Sequence, residues 1–250
     1  MNNLFWLNDE QMARLRPYFP KSHGKPRVDG RRVLSGIIFI NRNGLRWCDA
    51  PKEYRPPKTL YNRWKPWSEM GVFARIFEGL ASEAADQKTI MIDATYLKAH
   101  RTASSLRGKK GGGRLIVRTK GGMNTKLHAV TDTKGRPIRF FMTAGQVGDD
   151  TGAAALLAVL PKAEWLLGDR GYDADWFRDA PKDKGIKPCI PGRKSRGKPV
   201  KYDKRRYKRR NRIEIMFGRL KDWRRVATRY DRCPEVFLSA VALAATVMFW

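Results

Sequence analysis

The stretch YKRRNRIEIMFGRLKDWRR, residues 207–225, is dense in cations yet keeps one glutamate, Glu214, among them. At the helical repeat of ~100° per residue, Tyr207, Arg210, Glu214 and Lys221 fall in one stripe about 60° wide. Ile213, Met216, Phe217, Leu220 and Trp223 fill the neighbouring arc. The pattern predicts an amphipathic helix that lays its apolar arc on a sheet and leaves a basic face to solvent. Gly218, beside the stripe, leaves room for a close backbone approach. Taken alone, the helix also admits a plainer reading, in which Glu214 merely neutralises nearby arginines.

The whole chain shares this charge bias: 52 Lys+Arg oppose 24 Asp+Glu, a formal net charge of +28 over 250 residues. Such self-repulsion is relieved by a polyanionic partner, with nucleic acid the first candidate and an anionic membrane surface the second. A hydrophobic fraction of 42% supplies a core and excludes disorder of the chain as a whole. Cys48, Cys189 and Cys233 are scattered, which argues against a disulfide framework or structural zinc and for reduced, mostly buried thiols in a cytoplasmic protein. MNNLFWLNDEQ has no basic segment followed by an apolar run, so no signal peptide is expected. The longest apolar run, residues 236–250, falls short of the roughly 20 residues of a membrane span and reads as a buried closing helix.

Residues 1–86 read as helical. Asn8 and Asp29 stand at N-cap positions, Gly44 at a helix end, and Pro66 predicts a break or kink. KTLYNRWK could open the second helix of a helix-turn-helix, turning Lys58, Tyr61, Asn62, Arg63 and Lys65 towards DNA. A plain helical bundle with solvated charges fits the same residues, and Trp47, Trp64 and Trp67 read as core. From 87 to 250 the pattern changes. TIMIDATYL is a strand, TKLHAVTD and RPIRFFMTAG flank the turn TKGRP as a hairpin, and helices then alternate with the strands EWLLGD and IKPCIPG. This is an α/β chain: a mixed sheet covered by helices behind a small helical N-terminal domain. Residues 104–122, rich in glycine and free of acids, read as a mobile basic loop that either tracks a DNA backbone or is simply solvated. It holds no Gly-Lys-Ser/Thr phosphate loop, so ATP is not expected.

Acids are scarce where cations are dense. Residues 98–126 hold nine Lys+Arg and no acid, and residues 193–225 hold sixteen against Asp203, Glu214 and Asp222. Asp93 lies in an apolar strand and Asp169 ends another, where open α/β sheets place ligands. A carboxylate there is expensive unless it is paired or bound to a cation. Either aspartate alone could be a cap or half of a salt bridge. Three carboxylates in a basic groove suit in-line displacement at a DNA phosphodiester, with divalent cations on the attacking and leaving oxygens. Asp149 and Asp150 read as caps of the helix that follows, Asp173 and Asp175 as caps or surface charges, and His100 and His128 as ordinary hydrogen-bonding residues.

The spacing Tyr-x2-Arg-x3-Glu-x6-Lys at Tyr207, Arg210, Glu214 and Lys221 resembles the signature of the DDE transposases of the IS4/IS5 insertion-sequence superfamily. IDATYLKAH around Asp93 and LLGDRGYDAD around Asp169 are similar to that family's two catalytic aspartate motifs. TKLHAVTDTKGRPIRF, GQVGDDTGAAALL and LRWCDAPKEYRPPKTLYNRW extend the likeness over nearly the whole chain. The resemblance implies a ribonuclease-H-like core in which Asp93, Asp169 and Glu214 are catalytic and bind two Mg²⁺ or Mn²⁺ ions. Tyr207, Arg210 and Lys221, with Arg225 beyond them, would hold phosphates. It also implies strand cleavage at terminal inverted repeats, 3′-hydroxyl transfer into target DNA, a homodimer on double-stranded DNA, and action in the bacterial cytoplasm at the nucleoid. Two rival readings are a DNA-binding repressor without catalysis and a nuclease that cuts without joining.

Overall fold

The computed structural model describes residues 4–20, 29–54, 56–104, 113 and 115–250. Four helices come first: α1 Asp9–Leu15, α2 Gly30–Asn43, α3 Pro57–Glu69 and α4 Val72–Ala84. Their ends follow local chemistry. Asn8 Oδ1 accepts from Gln11 N (2.8 Å) while Gln11 Oε1 accepts from Asn8 N (3.0 Å), a reciprocal cap for α1. The Asp29 carboxylate accepts from Arg31 N and Arg32 N, and Gly44 closes α2 in the left-handed region at φ 70°. Asn8→Ala should cost about 1 kcal/mol in urea unfolding; an unchanged midpoint would mean that α1 contributes no stability. Pro66 does not break α3, which runs on to Glu69. So close to the C-terminus, a lost donor and ring are tolerated.

β1 Thr89–Ala99 and α5 Arg101–Ser104 follow, then β2 Val117–Thr119, β3 Gly122–Thr131 and β4 Pro137–Ala144. Of the segment 104–122, residues 105–112 and 114 lie outside the described residues. Residues 117–119 are strand rather than loop: the β-branched Val117 and Thr119 pair with β3 across the turn at Gly122 (φ 95°). In the hairpin β3–β4, the Asp132 carboxylate accepts from Lys134 N and Arg136 N, and Gly135 takes φ 86°. The chain then alternates through α6 Asp149–Ala158, β5 Trp165–Leu167, α7 Asp175–Lys182 and β6 Lys187–Cys189. It closes with α8 Lys204–Tyr207, α9 Asn211–Lys221, α10 Arg224–Ala227, β7 Thr228–Arg229 and α11 Pro234–Phe249.

The sheet runs β2-β3-β1-β5-β6, with β4 on β3 and β7 on β1. β1 is antiparallel to β3 and parallel to β5, and β5 is parallel to β6. Antiparallel strands on one side of β1 and parallel strands on the other make this a ribonuclease-H-like mixed sheet. Alternate residues of β1 feed different cores, as the pleat requires. Met91 and Leu97 join α9, α11 and the N-terminal helices, whereas Ile90 and Ile92 join α6 and α7. The first four helices therefore share one continuous core with α11, whose residues 239–246 are all buried. Among the described residues, no helix is long and apolar enough to cross a membrane.

Candidate active site

Asp93 stands on β1 on the same side of the pleat as Met91, the side covered by α9. Parallel pairing of β1 with β5 ends at Met91 opposite Leu167, and two residues further along each strand lie Asp93 and Asp169. Asp93, midway along β1, therefore lies beside Asp169, just past the end of β5. Asp169 Oδ1 accepts from Gly171 N at 2.7 Å, capping a short 3₁₀ turn. Asp93 Oδ1 accepts from Ala94 N at 2.8 Å, and its Oδ2 accepts from Arg210 Nη2 at 2.7 Å.

Arg210 joins the signature helix to the strand. It donates to Asp93 through Nη2 and to Glu214 Oε1 through Nη1 at 2.5 Å, so one guanidinium bridges the two carboxylates. Asp93 is buried and Glu214 is exposed, with 58% of its side chain accessible. From the last residue of α9, Lys221 Nζ donates to Thr95 Oγ1 at 2.8 Å. Tyr207 is half-buried with its ring edge-on to Tyr202. Ile213, Met216, Phe217 and Leu220 are buried beneath this stripe. A β-carbon on Gly218 would meet no protein atom within 4 Å, so that flank of α9 is open.

Burial pushes the Asp93 carboxyl up to about 6. The Arg210 charge and the Ala94 N–H oppose the rise, and the charge of Asp169 adds to it. Burial also works against the Arg210 charge, but Asp93 and Glu214 outweigh it and hold the guanidinium above its ordinary value. Burial lowers the Lys221 ammonium. Among the described residues, no three His, Cys, Asp or Glu side chains are grouped closely enough to hold a metal ion. Asp93 and Glu214 thus converge on an arginine, while Asp169 is held by a backbone N–H.

Arg225 is a correction. The helix stops at Lys221, Trp223 turns the chain with extended backbone, and Arg225 lands on the separate helix α10. It is buried, donates to Leu45 O through Nη2 at 2.8 Å, lies 3.8 Å from Asp231 and covers the Trp47 ring. It ties α10 to the end of α2 and has no free face for a phosphate. On α3, Lys58, Tyr61, Asn62, Arg63 and Lys65 are all exposed, with Lys65 paired to Glu69 at 2.6 Å. Trp64 is fully buried behind them. The connection before α3 carries two 3₁₀ turns between residues 44 and 56, longer than a helix-turn-helix allows. The tight turn, with Gly71 at φ 67°, comes after α3 instead.

A family model described as "Transposase DDE domain" matches residues 84–249. The chain belongs to the DDE transposases. A second model, "Putative transposase of IS4/5 family", matches residues 7–77, so both halves of this transposase match transposase models and the N-terminal one names the IS4/5 group. It is similar to the "Putative transposase for insertion sequence element IS6501" of Brucella ovis, at 38% identity over 130 residues, 51% of this chain and 98% of that protein. "Uncharacterized protein y4sN" of Sinorhizobium fredii is 36% identical over 109 residues, 42% of this chain and 86% of that one. Among solved structures, the piggyBac transposase synaptic complex with hairpin DNA matches at a TM-score of 0.47 and 9% identity, covering 93% of this chain and 68% of that one. A pre-cleavage Mos1 transpososome matches at 0.30 and 12%, covering 91% and 80%.

Several residues of the transposase near the site escape a reading of the sequence. Thr95, which anchors Lys221, carries no signal beyond its two-residue spacing from Asp93 on one strand face. Arg193 donates to the carbonyls of Arg170 and Gly171, pinning the turn after Asp169. Asp149 does not cap α6; it pairs with the buried Lys126 at 2.9 Å. Asp173 is buried rather than a surface charge. It accepts from Arg178 Nε (2.7 Å), Arg196 Nη1 (3.0 Å) and Arg193 N (2.6 Å), while Asp175 stays exposed and pairs with Arg196. Of the thiols, Cys48 is exposed and Cys189 buried.

Proposed function

We propose that this transposase binds the terminal inverted repeats of its element, cuts there with metal-dependent chemistry and joins the freed 3′-hydroxyl to target DNA. One observation carries the reading: Arg210 already bridges Asp93 and Glu214, with Asp169 just past the end of the neighbouring strand. In a chain with so large a cationic excess, two carboxylates on one guanidinium, with a third beside them on the neighbouring strand, form a seat for positive charge. Their hard oxygen donors fit Mg²⁺ or Mn²⁺, and the guanidinium is the stand-in. Asp93, Asp169 and Glu214 would hold the ions, two per site. When bound, the ions supply a water activated for attack and neutralise the attacking and leaving oxygens of the phosphodiester.

The chain's own residues do the rest. Glu214, exposed and among the described residues held only through Arg210, is free to turn inward once the guanidinium leaves. Arg210 then moves to a DNA phosphate, a bidentate partner of similar geometry. Lys221, fixed by Thr95, and Tyr207 flank the cut strand on the same stripe. The open flank at Gly218 admits the DNA backbone. The exposed face of α3 at Lys58, Tyr61, Asn62, Arg63 and Lys65 grips the element's end, as part of a helical DNA-binding unit within residues 1–86. Joining two ends calls for two protomers on the double-stranded DNA, at the nucleoid of a bacterial cytoplasm.

The test is incubation of the full chain with DNA carrying the element's ends and Mg²⁺. Nicked and strand-transferred products are the expected result. Nicks without joining would instead support a nuclease, and binding without products a repressor. Log affinity for the ends should fall linearly with log salt, with a slope of about −0.9 per neutralised phosphate; a flat profile would contradict the electrostatic grip. Replacing Lys58, Asn62 and Arg63 together by alanine should weaken end binding on the order of tenfold and reduce that slope. Unchanged affinity in a band-shift titration would remove α3 from the interface.

A further inference from the structure

A second carboxylate approaches Asp169 from outside the signature. Asp149, the first residue of α6, places Oδ1 on Lys126 at 2.9 Å and turns Oδ2 towards Gly171. A β-carbon on Gly171 would lie 2.9 Å from Asp169 Oδ1 and 3.1 Å from Asp149 Oδ2. A side chain here would press on both carboxylates, and nothing about the backbone conformation of Gly171 otherwise asks for a glycine. Lys126 is buried and is held by Val147 O at 2.5 Å as well as by Asp149, so it fixes the acid's orientation.

The hydroxyl of Tyr172 is an independent pointer to a ligand. Tyr172 is fully buried, and its hydroxyl has no hydrogen-bond partner among the described residues. The carboxylates of Asp93, Asp149 and Asp169 all act on it electrostatically. A buried, unpartnered donor in the field of these acids is suited to a hydrated cation or a phosphate oxygen.

We propose that Asp149 is a fourth carboxylate of the cation site and that, with Asp169, it binds one divalent ion at the point guarded by Gly171. Lys126 is the positioning residue that holds Asp149 there. This rests on the metal-dependent reading above and adds to it a ligand drawn from α6, on the far side of Asp169 from Glu214.

The test is Mn²⁺ binding to the full chain without DNA, followed by calorimetry and by the electron spin resonance of free Mn²⁺. Asp149→Asn should weaken one Mn²⁺ site by roughly 10–100-fold, and Gly171→Ala should do the same by crowding both carboxylates. Lys126→Met keeps the Asp149 carboxyl but frees its orientation, and should cost less than either. Asp93→Asn serves as the comparison. If Asp93→Asn loses affinity and Asp149→Asn does not, Asp149 is only the partner of Lys126 and the inference falls, while the metal-dependent reading stands. If the wild-type chain binds no Mn²⁺ in the absence of DNA, the inference falls, while the metal-dependent reading is decided separately by the cleavage assay on DNA with Mg²⁺. Peptide cleavage by Fe²⁺ and ascorbate in the wild-type chain gives a readout free of variants. Cuts near residues 149 and 169–171 are expected, and cuts confined to β1 and α9 would overturn the inference.

Discussion

Asp93→Asn should lower strand cleavage by at least ~10³-fold, about 4 kcal/mol of transition-state stabilisation, while changing affinity for the element's ends by less than about threefold. The asymmetry follows from the division of labour in the site. Asp93 is buried, and its partners are Arg210 and a backbone N–H, so it offers little to a phosphate. The groups proposed to grip DNA are cations and α3 side chains, and the substitution removes none of them. Asp169→Ala and Glu214→Ala should behave alike, and combining two should cost little more than one, because residues acting as a unit are not additive. Arg210→Ala should differ in kind: it frees Asp93 and Glu214 for metal but takes away a phosphate partner. Cleavage and band-shift assays on the same preparations separate these cases. Parallel loss of binding and cleavage in Asp93→Asn would mean that the carboxylate organises the fold and not the chemistry.

Asp173→Ala should destabilise the chain by roughly 3–5 kcal/mol, because it strands buried cations rather than removing a whole ion pair. Arg178 is nearly inaccessible and donates to Asp173 and to the carbonyl of Ile190, so the loss of the carboxylate leaves its charge uncompensated. At about 2–4 °C per kcal/mol for a chain of this size, the melting temperature should fall by roughly 10 °C. The same residue gives a pH signature. Burial alone would raise its carboxyl, but the Arg193 N–H and the Arg178 and Arg196 guanidinia outweigh burial and hold it below the usual carboxylate range. With the folded value depressed, this stabilisation is complete above the unfolded value of about 3.9 and is lost as pH falls through the folded value. The wild-type chain should therefore lose stability below about pH 4, and Asp173→Asn should flatten that part of its acid-unfolding curve. A melting temperature within about 2 °C of wild type would show that water replaces the network.

Most of the frame was legible because local chemistry and burial agree there. Asn8 and Asp29 are capping residues where caps are needed, the hairpin turn carries Asp132 and Gly135, and β1 opens on an apolar run buried on both faces. The helical wheel of residues 207–221 placed Arg210 and Lys221 on one stripe, and both reach β1. It failed at Arg225 because periodicity cannot see the turn at Trp223, where packing takes over from helix propensity. Val117 and Thr119 form a strand because β3 offers them a partner, which glycine content upstream conceals. Asp149 looked like a cap because an acid at a helix start usually is one; what draws it away, the buried Lys126, comes from a distant strand. Asp173 looked like surface for the same reason, since the arginines that surround it lie 5 to 23 residues further along the chain.

The most direct measurement is a structure of the full chain on cleavable element-end DNA with Mn²⁺, located by its anomalous scattering. The account predicts Mn²⁺ peaks bounded by Asp93, Asp169 and Glu214, with the Arg210 guanidinium moved from between the two acids onto a phosphate. A complex poised on DNA in which Arg210 still bridges Asp93 and Glu214, with Mn²⁺ bound elsewhere, would contradict it.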